Sequence, residues 1–511
     1  MKKQIQALYI DLFCGAGGTS SGIECARLDG KKCAEVVACV NHDENAIKSH
    51  KANHPHTLHF IEDIRTLELS PMVKHLEKKR RQYPEAKVVL WASLECTNFS
   101  KAKGGQPRDA DSRTLAEHLF RYIETLKPHY IQIENVEEFM CWGALDENGK
   151  PVSRDQGSDY LRWVKQVQAY GYDYDWHVLN AADFGAYTSR KRFFGLFARH
   201  GLPIAFPEQT FAKNGDEGGM FHQYKRWRAV RDVLDLDEGG ESIFMRRKPL
   251  CEKTLERIYA GLVRFVAGGK ERHQAWILKY NSMNKQHHHN APSVDEPCPT
   301  VTTQNRLGQV KCKFLSKQFS GNPNGKNIDI EQPAGTVTTI DHHAFITAYY
   351  GNGFNSSIER PSPTVTTRSR HALVSTKLYL MNPQYQSNGG SIDNPCFTLI
   401  ARMDKMPPYL ITTKEGKVGI AIYESDSPWT RKVKEFMAAY GIVDICMRML
   451  NIGELKRIMG FPTNYVLIGT QAEQKKFIGN AVEVNMSRVL CEALCRKISE
   501  SAPNQPQISP E

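Results

Sequence analysis

The first 200 residues alternate between short apolar runs and stretches whose apolar residues recur at helical spacing. The apolar runs, rich in β-branched and aromatic residues, are 7–10, 36–40, 88–92, 130–133 and 193–197. The clearest helical stretch between them is 112–126. Because this alternation is typical of α/β folds, it predicts a doubly wound, mostly parallel sheet. Ligands of such sheets bind at the carboxyl ends of the strands, so the residues after each strand are the candidates for chemistry.

A different pattern fills 201–445. Its first part is mixed and contains a helical pattern over 252–266. The frame acid-x-Pro-x-x-Thr then occurs four times, starting at Asp295, Glu331, Glu359 and, more loosely, Asp393. Each copy leads into a strand-like run such as Thr-Val-Thr-Thr and then into a polar tip. We interpret 201–445 as a second, β-rich domain of about four hairpin-like units, any of which can equally be purely structural.

Helical patterning returns over 446–497, and we expect this segment to complete the domain formed by 1–200. The last segment, 498–511, is polar and rich in proline. Because it has little apolar surface to bury, we predict that it is disordered.

Composition narrows the class of protein. Lys plus Arg number 67 against 56 Asp plus Glu, giving a net charge of +11, which allows a polyanionic partner without establishing one. No apolar run is long enough to span a membrane and no signal-peptide pattern is present, which predicts a cytoplasmic protein. The 13 cysteines include no Cys-x-x-Cys pair. Neither a disulfide framework nor a metal site is therefore expected.

Glycine, polar and charged residues follow the predicted strands in a defined order. They are the loop 13–18, Asn41, Asp63, Cys96, the pair Glu134-Asn135, and Arg190 with Arg192. Glycines let a backbone turn tightly and approach a ligand, but this loop lacks the third glycine of a dinucleotide fingerprint. Cys96 lies in a polar loop beside Lys101 and is placed to react as a thiolate, although most cysteines are small core residues.

Together with Gly460-Phe461-Pro462 and Gly479-Asn480-Ala481-Val482, these motifs resemble those of the cytosine-C5 DNA methyltransferase family. The resemblance covers about 7–200 and 446–495. Each motif alone is weak, whereas their order is specific. The resemblance implies an α/β methyltransferase that depends on S-adenosylmethionine, and it implies that the variable insertion 201–445 is a target-recognition domain.

The resemblance also implies where the cofactor S-adenosyl-L-methionine binds. The residues concerned are Phe13, Gly15, Gly17, Gly18, Asn41, Asp63, Ile64, Leu115 and Asn480. Asp63 and Ile64 would hold the adenine, and Asn480 would close the pocket. Asn41 stands where the family usually has a ribose-binding glutamate, but an amide can still hydrogen-bond hydroxyl groups.

The catalytic residues that the resemblance implies are Cys96, Glu134, Asn135, Arg190 and Arg192. The Cys96 thiolate would attack C6 of cytosine, and protonated Glu134 would hydrogen-bond N3 while C5 takes the methyl group. Arg190 would lie near the base, with Arg192 supporting it and Asn135 orienting the loop. Because these groups cannot reach a base inside duplex DNA, the cytosine must be flipped out.

The loop around Cys96 departs from the family pattern, since Glu95-Cys96-Thr97 replaces the usual Pro-Cys-Gln. This puts the rate in question more than the type of reaction. The predicted DNA-binding residues are Ser100, Arg306, Arg368, Arg370 and Arg402, the last four in the polar tips of the repeats. Arginine is the side chain that most often binds guanine edges and phosphates.

We therefore predict a monomeric DNA (cytosine-5-)-methyltransferase that acts on double-stranded DNA and makes no membrane contact. A cognate restriction endonuclease is a possible partner. Two alternatives remain. One is methylation of RNA, as in the tRNA-acting branch of the family, against which the long insertion argues. The other is a catalytically silent DNA-binding protein, against which the joint presence of Cys96, Glu134, Arg190 and Arg192 argues.

Overall fold

A computed structural model of the chain describes residues 5–94, 115–144, 152–153, 157–215, 223–236, 240–267, 275–279, 291–303, 307–314, 345–348, 356–357, 371–374, 379–381, 390–391, 409–414, 417–440 and 442–501. The chain forms two compact units. The first comprises Met1–Asp235, Val294–Asn305 and Leu450–Glu511, and the second comprises Leu236–Ser293 and Arg306–Met449. Residues 201–235 and 294–305 thus belong to the first unit, while the predicted domain boundaries at 200 and 446 stay predictions.

Seven strands form the central sheet of the first unit. They are β1 (Ala7–Leu12), β2 (Ala34–Asn41), β3 (Leu58–Ile61), β4 (Lys87–Ser93), β5 (Tyr130–Asn135), β6 (Tyr172–Asn180) and β7 (Lys191–Arg199). Their order across the sheet is β3-β2-β1-β4-β5-β7-β6. Strand β7 runs antiparallel to β5 and β6, and the other neighbours are parallel. The predicted mostly parallel sheet is confirmed.

The described residues form ten α-helices. They are α1 (Gly18–Cys25), α2 (Glu44–Asn53), α3 (Ser70–Gln82), α4 (Leu119–Leu126), α5 (Ser158–Gln168), α6 (Glu252–Leu262), α7 (Pro428–Tyr440), α8 (Ile452–Ile458), α9 (Gln471–Asn480) and α10 (Val484–Ser501). Helices α1 to α5 connect the strands of the central sheet. None of the described helices is long and apolar enough to cross a membrane.

Apolar side chains cover the central sheet on both faces. In β1, Leu8 and Ile10 join one apolar layer, while Ala7 and Tyr9 join the other, as the alternation of side chains along a strand requires. Helix α10 adds Leu490 to the second layer. Because β1 is buried along its whole length, its sequence is an almost unbroken apolar run, which is why it could be predicted.

Some predicted elements differ from those observed. The helical pattern over 112–126 shrinks to α4, because residues 115–118 form a turn and 112–114 lie outside the described residues. The helical pattern over 252–266 ends as a helix at Leu262 and continues as a π-helical turn, Val263–Ala267. The segment assigned helical patterning from residue 446 begins instead in a strand, Ile442–Met449.

The second unit is rich in strands where it is described. Glu241–Ser242, Ile442–Met449, Leu307–Phe314 and Ala275–Lys279 form an antiparallel sheet in that order. Ile258 of α6 and Val433 of α7 share an apolar core with Ile445. Two smaller sheets contain Ser356–Ser357, Phe345–Ala348 and His371–Val374, and Gly390–Ser391, Tyr379–Met381, Tyr409–Lys414 and Lys417–Gly419.

The first copy of the repeat, 295–303, lies in the first unit and does not form the predicted Thr-rich strand. Its strand is Cys298–Pro299, which pairs in parallel with Thr188–Ser189, and residues 300–303 are not in a strand. The acid-x-Pro-x-x-Thr frames of the other three copies lie outside the described residues. Instead of forming the strand that local propensity predicts, this copy accepts a hydrogen bond from Arg190 at the Val301 carbonyl oxygen.

Candidate active site

The loop after β1 turns sharply because three of its residues have positive φ. These are Phe13 (60°), Gly15 (52°) and Gly17 (101°), and Gly17 caps the N-terminus of α1. A Cβ on Gly17 would lie 2.4 Å from the Tyr465 hydroxyl oxygen, and one on Gly15 would meet no atom within 4 Å. Gly17 is therefore packed closely against the rest of the protein, whereas Gly15 faces open space.

The far end of the chain lies against this loop. A Cβ on Gly18 would be 2.4 Å from the Val482 carbonyl oxygen and 2.9 Å from the Ala481 Cβ. These two residues follow Asn480, the last residue of α9. The Tyr465 hydroxyl donates a 2.6 Å hydrogen bond to the Ala16 carbonyl oxygen. The structure thus brings the Asn480 turn beside the glycine loop, as the cofactor prediction requires.

A buried polar chain lies beneath the loop. The Ser20 hydroxyl donates a hydrogen bond to the Asp11 carboxyl (2.7 Å) and lies 2.9 Å from Nε2 of His50. The other ring nitrogen of His50, Nδ1, lies 3.0 Å from Nε2 of His59. Burial raises the pKa of Asp11 to about 7, and burial with the neighbouring His54 and His59 keeps the pKa of His50 well below its usual range. His50 is therefore neutral at neutral pH, and Asp11 is ionised to a much smaller extent than an exposed aspartate.

Asn41 and Asp63 lie next to each other at the ends of β2 and β3. The Asn41 carbonyl oxygen accepts from the Glu62 N–H (3.2 Å), and its side-chain oxygen accepts from the Asp43 N–H (2.9 Å). The Asp63 carboxylate is held by the Arg65 guanidinium, with Nη2 2.6 Å from Oδ2. The hydrogen bonds from Arg65 lower the pKa of Asp63 to about 2, so Asp63 is a carboxylate at neutral pH.

Ile64 and Leu115 supply apolar surface near the glycine loop. Ile64 is buried in the apolar cluster against which Phe13 and Leu115 pack. Its carbonyl oxygen accepts from the Tyr122 hydroxyl (2.9 Å) and from Arg121 Nη1 (3.1 Å), both on α4. Helix α4 therefore fixes the turn that contains Asp63 and Ile64.

Glu134 and Asn135 end β5 beside the strand that leads to Cys96. Glu134 is 6% exposed, and its Oε1 lies 3.4 Å from Nε of Arg192 on β7. In the parallel pairing of β4 with β5, Glu134 lies opposite Ser93. The Asn135 amide donates to the Leu94 carbonyl oxygen at 3.4 Å. The buried Glu134 carboxyl therefore lies on the strand next to the one that leads to Cys96.

Arg190 joins three separate parts of the chain. It is 4% exposed, and its Nη1 donates to the carbonyl oxygens of Val301 and Gly479, each at 3.3 Å. Val301 belongs to the first repeat copy and Gly479 to the motif that contains Asn480. Arg190, Arg192 and Glu134 line one small cavity. The structure therefore gathers these three predicted catalytic residues in one place.

Glu483 lies in the same place and was not predicted. It lines that cavity, is 2% exposed and accepts a 2.7 Å hydrogen bond from the Met486 N–H at the start of α10. Burial raises its pKa to about 7, against the effect of the Asn485 and Met486 N–H groups, Arg488 and Arg190. The only signal in the sequence is an acid directly after Gly-Asn-Ala-Val, between apolar residues.

Several predicted residues fall outside the described part of the chain. They are Cys96 with its neighbour Glu95, Ser100, and the repeat-tip arginines Arg306, Arg368, Arg370 and Arg402. Their assignments stay predictions. Leu94, the last described residue before Cys96, is buried and its carbonyl oxygen accepts a hydrogen bond from Asn135, so the chain enters the Cys96 loop beside the end of β5.

The arrangement has two neighbouring polar regions at the carboxyl ends of the parallel strands. One is a glycine loop with Asn41, Asp63 and apolar surface, which suits a small molecule with polar and apolar parts. The other holds the buried Glu134 carboxyl beside Arg192, with Arg190 in the same cavity, and these groups can hydrogen-bond a polar ring. Such neighbouring regions can hold a group donor and an acceptor side by side.

The chain is similar to proteins of one known family. The sequence model of the C-5 cytosine-specific DNA methylase family matches residues 8–496. Type II methyltransferase M.XorII of Xanthomonas oryzae pv. oryzae is 31% identical over 205 residues, which are 39% of this chain and 43% of that protein. Type II methyltransferase M.AgeI of Thalassovita gelatinovora is 29% identical over 212 residues, 41% of this chain and 44% of that protein.

The matched segment spans less than half the length of each of these two curated relatives. Among solved structures, a mutant DNMT2 of Spodoptera frugiperda aligns with 96% of this chain and 99% of its own. The sequence identity in that alignment is 14% and the TM-score is 0.46.

Proposed function

The chain belongs to the C-5 cytosine-specific DNA methylase family, and from this premise we propose that it transfers a methyl group from S-adenosylmethionine to C5 of cytosine in a specific DNA sequence. The observation that supports this most directly is the buried Glu134 carboxyl, paired with Arg192 and lined up with the strand that leads to Cys96. When protonated, a buried carboxyl can hydrogen-bond N3 of a pyrimidine and limit the charge that develops on the ring.

The residues present fit S-adenosylmethionine. Gly15 faces open space in the loop, Asp63 is a carboxylate that can accept hydrogen bonds, and Phe13, Ile64 and Leu115 supply the apolar surface. When bound, the cofactor supplies an electrophilic methyl group on its sulfonium. The predicted role of Asn480 is supported by its place directly before Ala481, which touches Gly18.

The protein's residues would act in sequence on a cytosine flipped out of the duplex. The Cys96 thiolate adds to C6, which makes C5 nucleophilic. Glu134 donates a hydrogen bond to N3 and limits the charge that develops on the ring, while Arg192 holds the carboxyl in position. After methyl transfer, loss of the C5 proton breaks the bond from Cys96 to C6 and restores the aromatic ring.

Trapping the covalent intermediate tests this proposal. DNA carrying 5-fluorocytosine at the target should form a denaturant-stable adduct, since fluorine at C5 blocks the final elimination. Cys96→Ala should lose both the adduct and methyl transfer while still binding S-adenosylmethionine. Methyl transfer by the Cys96→Ala protein would remove this cysteine from the mechanism.

Labelled methyl transfer distinguishes the alternatives. The proposal requires label in double-stranded DNA that carries the recognised sequence. Label in RNA but not in DNA would instead support the tRNA-acting branch. A folded protein that binds DNA and the cofactor without transferring label to either nucleic acid would support the catalytically silent reading. A monomer and a paired restriction endonuclease also remain predictions.

A further inference from the structure

Three cysteine sulfurs meet in the core of the first unit. Cys33 directly precedes β2, and Cys491 and Cys495 lie one turn apart on α10. The three sulfur atoms all lie within 4.8 Å of one another, and those of Cys491 and Cys495 are 4.0 Å apart. Each residue is at most 2% exposed. The group therefore lies at the amino ends of the parallel strands, at the opposite edge of the sheet from the candidate active site.

The backbone around Cys33 is held firmly. Its carbonyl oxygen accepts hydrogen bonds from the N–H groups of Gln6 (2.7 Å) and Ala7 (3.3 Å), where β1 begins. The sulfur of Cys495 lies 3.8 Å from the same oxygen. The three thiols are thus fixed by a sheet and a long helix, which is how a rigid ligand set is built.

Two buried tyrosines, Tyr9 and Tyr130, belong to the same apolar cluster as the three cysteines. The Tyr9 hydroxyl interacts with Cys491, and burial together with Cys495 raises the pKa of Tyr130 to about 12. Both hydroxyl oxygens are buried, and that of Tyr130 has no hydrogen-bond partner among the described residues. A buried hydroxyl without a partner is unfavourable, and a cysteine sulfur can accept its hydrogen bond.

We propose that Cys33, Cys491 and Cys495 form a trithiolate site for one thiophilic cation, Zn²⁺ or Cu(I), with the Tyr9 and Tyr130 hydroxyls donating hydrogen bonds to the sulfurs. Thiolates select these soft cations. Sulfurs bound at about 2.3 Å around one ion lie about 4 Å from one another, which matches the 4.0 Å separation of Cys491 and Cys495. On binding, each thiol releases its proton to solvent and no electron is transferred.

The physical role of such a site would be structural. The ion would tie the start of β2 to α10, two elements that are far apart in the sequence but share one apolar layer. Hydrogen bonds to metal-bound sulfur orient the ligands and offset their charge. The sequence did not reveal the site, because its expectation rested on a Cys-x-x-Cys pair and these ligands become neighbours only in the folded chain.

Metal content of the full chain tests the proposal. Because the site is buried, the ion would enter during folding, so the protein is produced in medium supplied with Zn²⁺ or, separately, with copper under reducing conditions. Mass spectrometry of the purified, folded protein should find about one ion per chain in one of the two preparations. Cys33→Ser, Cys491→Ser and Cys495→Ser should each lose most of it.

Two control variants separate this site from others. Cys25→Ser removes an exposed thiol, and Cys39→Ser removes a thiol from a different buried group formed by Cys14, Cys39 and His50. Both should retain the ion. If the ion follows Cys39 rather than Cys495, or if the folded wild-type protein holds neither metal, the proposal is wrong.

A variant that keeps every ligand guards against misfolding as the cause of metal loss. Tyr9→Phe retains the three sulfurs and removes one donor, so it should hold the ion but lose it to a chelator severalfold faster than the wild type. Refolding with Cd²⁺ gives a second measure, since the sulfur-to-cadmium absorption should fall by about a third when one sulfur is removed. Unchanged absorption in Cys33→Ser would contradict the site.

Discussion

The buried Glu483 carboxyl links the predicted catalytic residues to helix α10. It shares a cavity with Glu134 and Arg190 and accepts the Met486 N–H at the start of α10. Arg190 in turn bonds the first repeat copy through Val301. A change at Glu483 is therefore felt both by the helix and by the arginine that is predicted to lie near the base.

The pH dependence of stability tests the burial of Glu483. Its folded-state pKa, about 7, lies above the ordinary value of 4.5, so the protonated acid favours the native state. That contribution is complete below pH 4.5 and is lost as the pH rises through 7. Glutamine resembles the protonated acid and does not ionise. As the pH rises from 5 to 8, the free energy of unfolding of Glu483→Gln should therefore increase relative to that of the wild type by on the order of 1–3 kcal/mol.

Unfolding by denaturant at the two pH values measures this difference. Glu435→Gln, which changes an exposed carboxyl on α7, is the matched control and should show little change. An equal difference between Glu483→Gln and the wild type at pH 5 and pH 8 would mean that Glu483 is charged in the folded protein throughout this range.

Glu134 should matter for chemistry rather than for folding. Glutamine has the same shape but cannot supply a proton of comparable acidity to N3, so Glu134→Gln should slow single-turnover methylation by about 10²–10⁴-fold. Binding of S-adenosylmethionine should change little. Glu137→Gln, which changes an exposed residue at the start of the 3₁₀ helix after β5, is the control and should react at the wild-type rate. A Glu134→Gln protein as fast as this control would contradict the proposed role.

At the scale of elements, the glycine loop requires positive φ at Gly15 and Gly17 and, at Gly17 only, also the absence of a side chain. Gly15 and Gly17 both have positive φ, which costs a residue with a side chain roughly 1–2 kcal/mol. Only Gly17 is also crowded, by the Tyr465 hydroxyl at 2.4 Å from its ideal Cβ. Gly17→Ala should therefore lower the free energy of unfolding more than Gly15→Ala does.

A double-mutant cycle isolates the crowding. Tyr465→Phe removes the oxygen that the new Cβ would meet, so it should recover part of the stability lost in Gly17→Ala and none of that lost in Gly15→Ala. Thermal unfolding of the wild type, the three single variants and the two double variants measures this coupling. If Tyr465→Phe is equally destabilising in both glycine variants, the loop has rearranged away from the contact.

Elements buried on both faces could be predicted from the sequence, and half-exposed ones could not. β1, β4 and β5 are apolar along most of their length and were expected within a few residues of their bounds. Strand β6 has exposed polar positions such as Asp173 and Asp175, and it forms at the sheet edge through pairing with β7. Residues 300–303 have strand propensity but serve instead to bond Arg190. Such outcomes depend on partners distant in sequence.

At the scale of the whole molecule, the order of short motifs carried more information than any one of them. The alternation of apolar runs and helical patterns predicted the central sheet, and the motif order predicted residues that the fold brings to its carboxyl edge, including Glu134, Arg190 and Arg192. It did not predict Glu483, because an isolated acid gives no sign of burial. Nor did it predict that the first repeat copy belongs to the first unit, since that depends on the contact between Val301 and Arg190.

At this scale, two basic parts of the chain are candidates for recognising the DNA sequence that the proposed function requires. The net charge of +11 favours binding to the phosphate backbone but carries no sequence preference. The repeat tips contain Arg306, Arg368, Arg370 and Arg402, and arginine can hydrogen-bond guanine through two atoms. In the first unit, exposed Lys225, Arg226 and Arg228 form a different basic segment.

We predict that at least one of the four tip arginines contacts a base edge. Its replacement by alanine should cost about 1–3 kcal/mol of binding and relax the preference at a single base position, whereas loss of a phosphate contact should weaken binding to all sequences and lower the salt slope by about one. Profiling methylated sites for each of the four alanine variants, with Arg226→Ala for comparison, measures this. If all four keep the wild-type motif while Arg226→Ala changes it, sequence is read by the first unit, because only that basic segment alters a base preference.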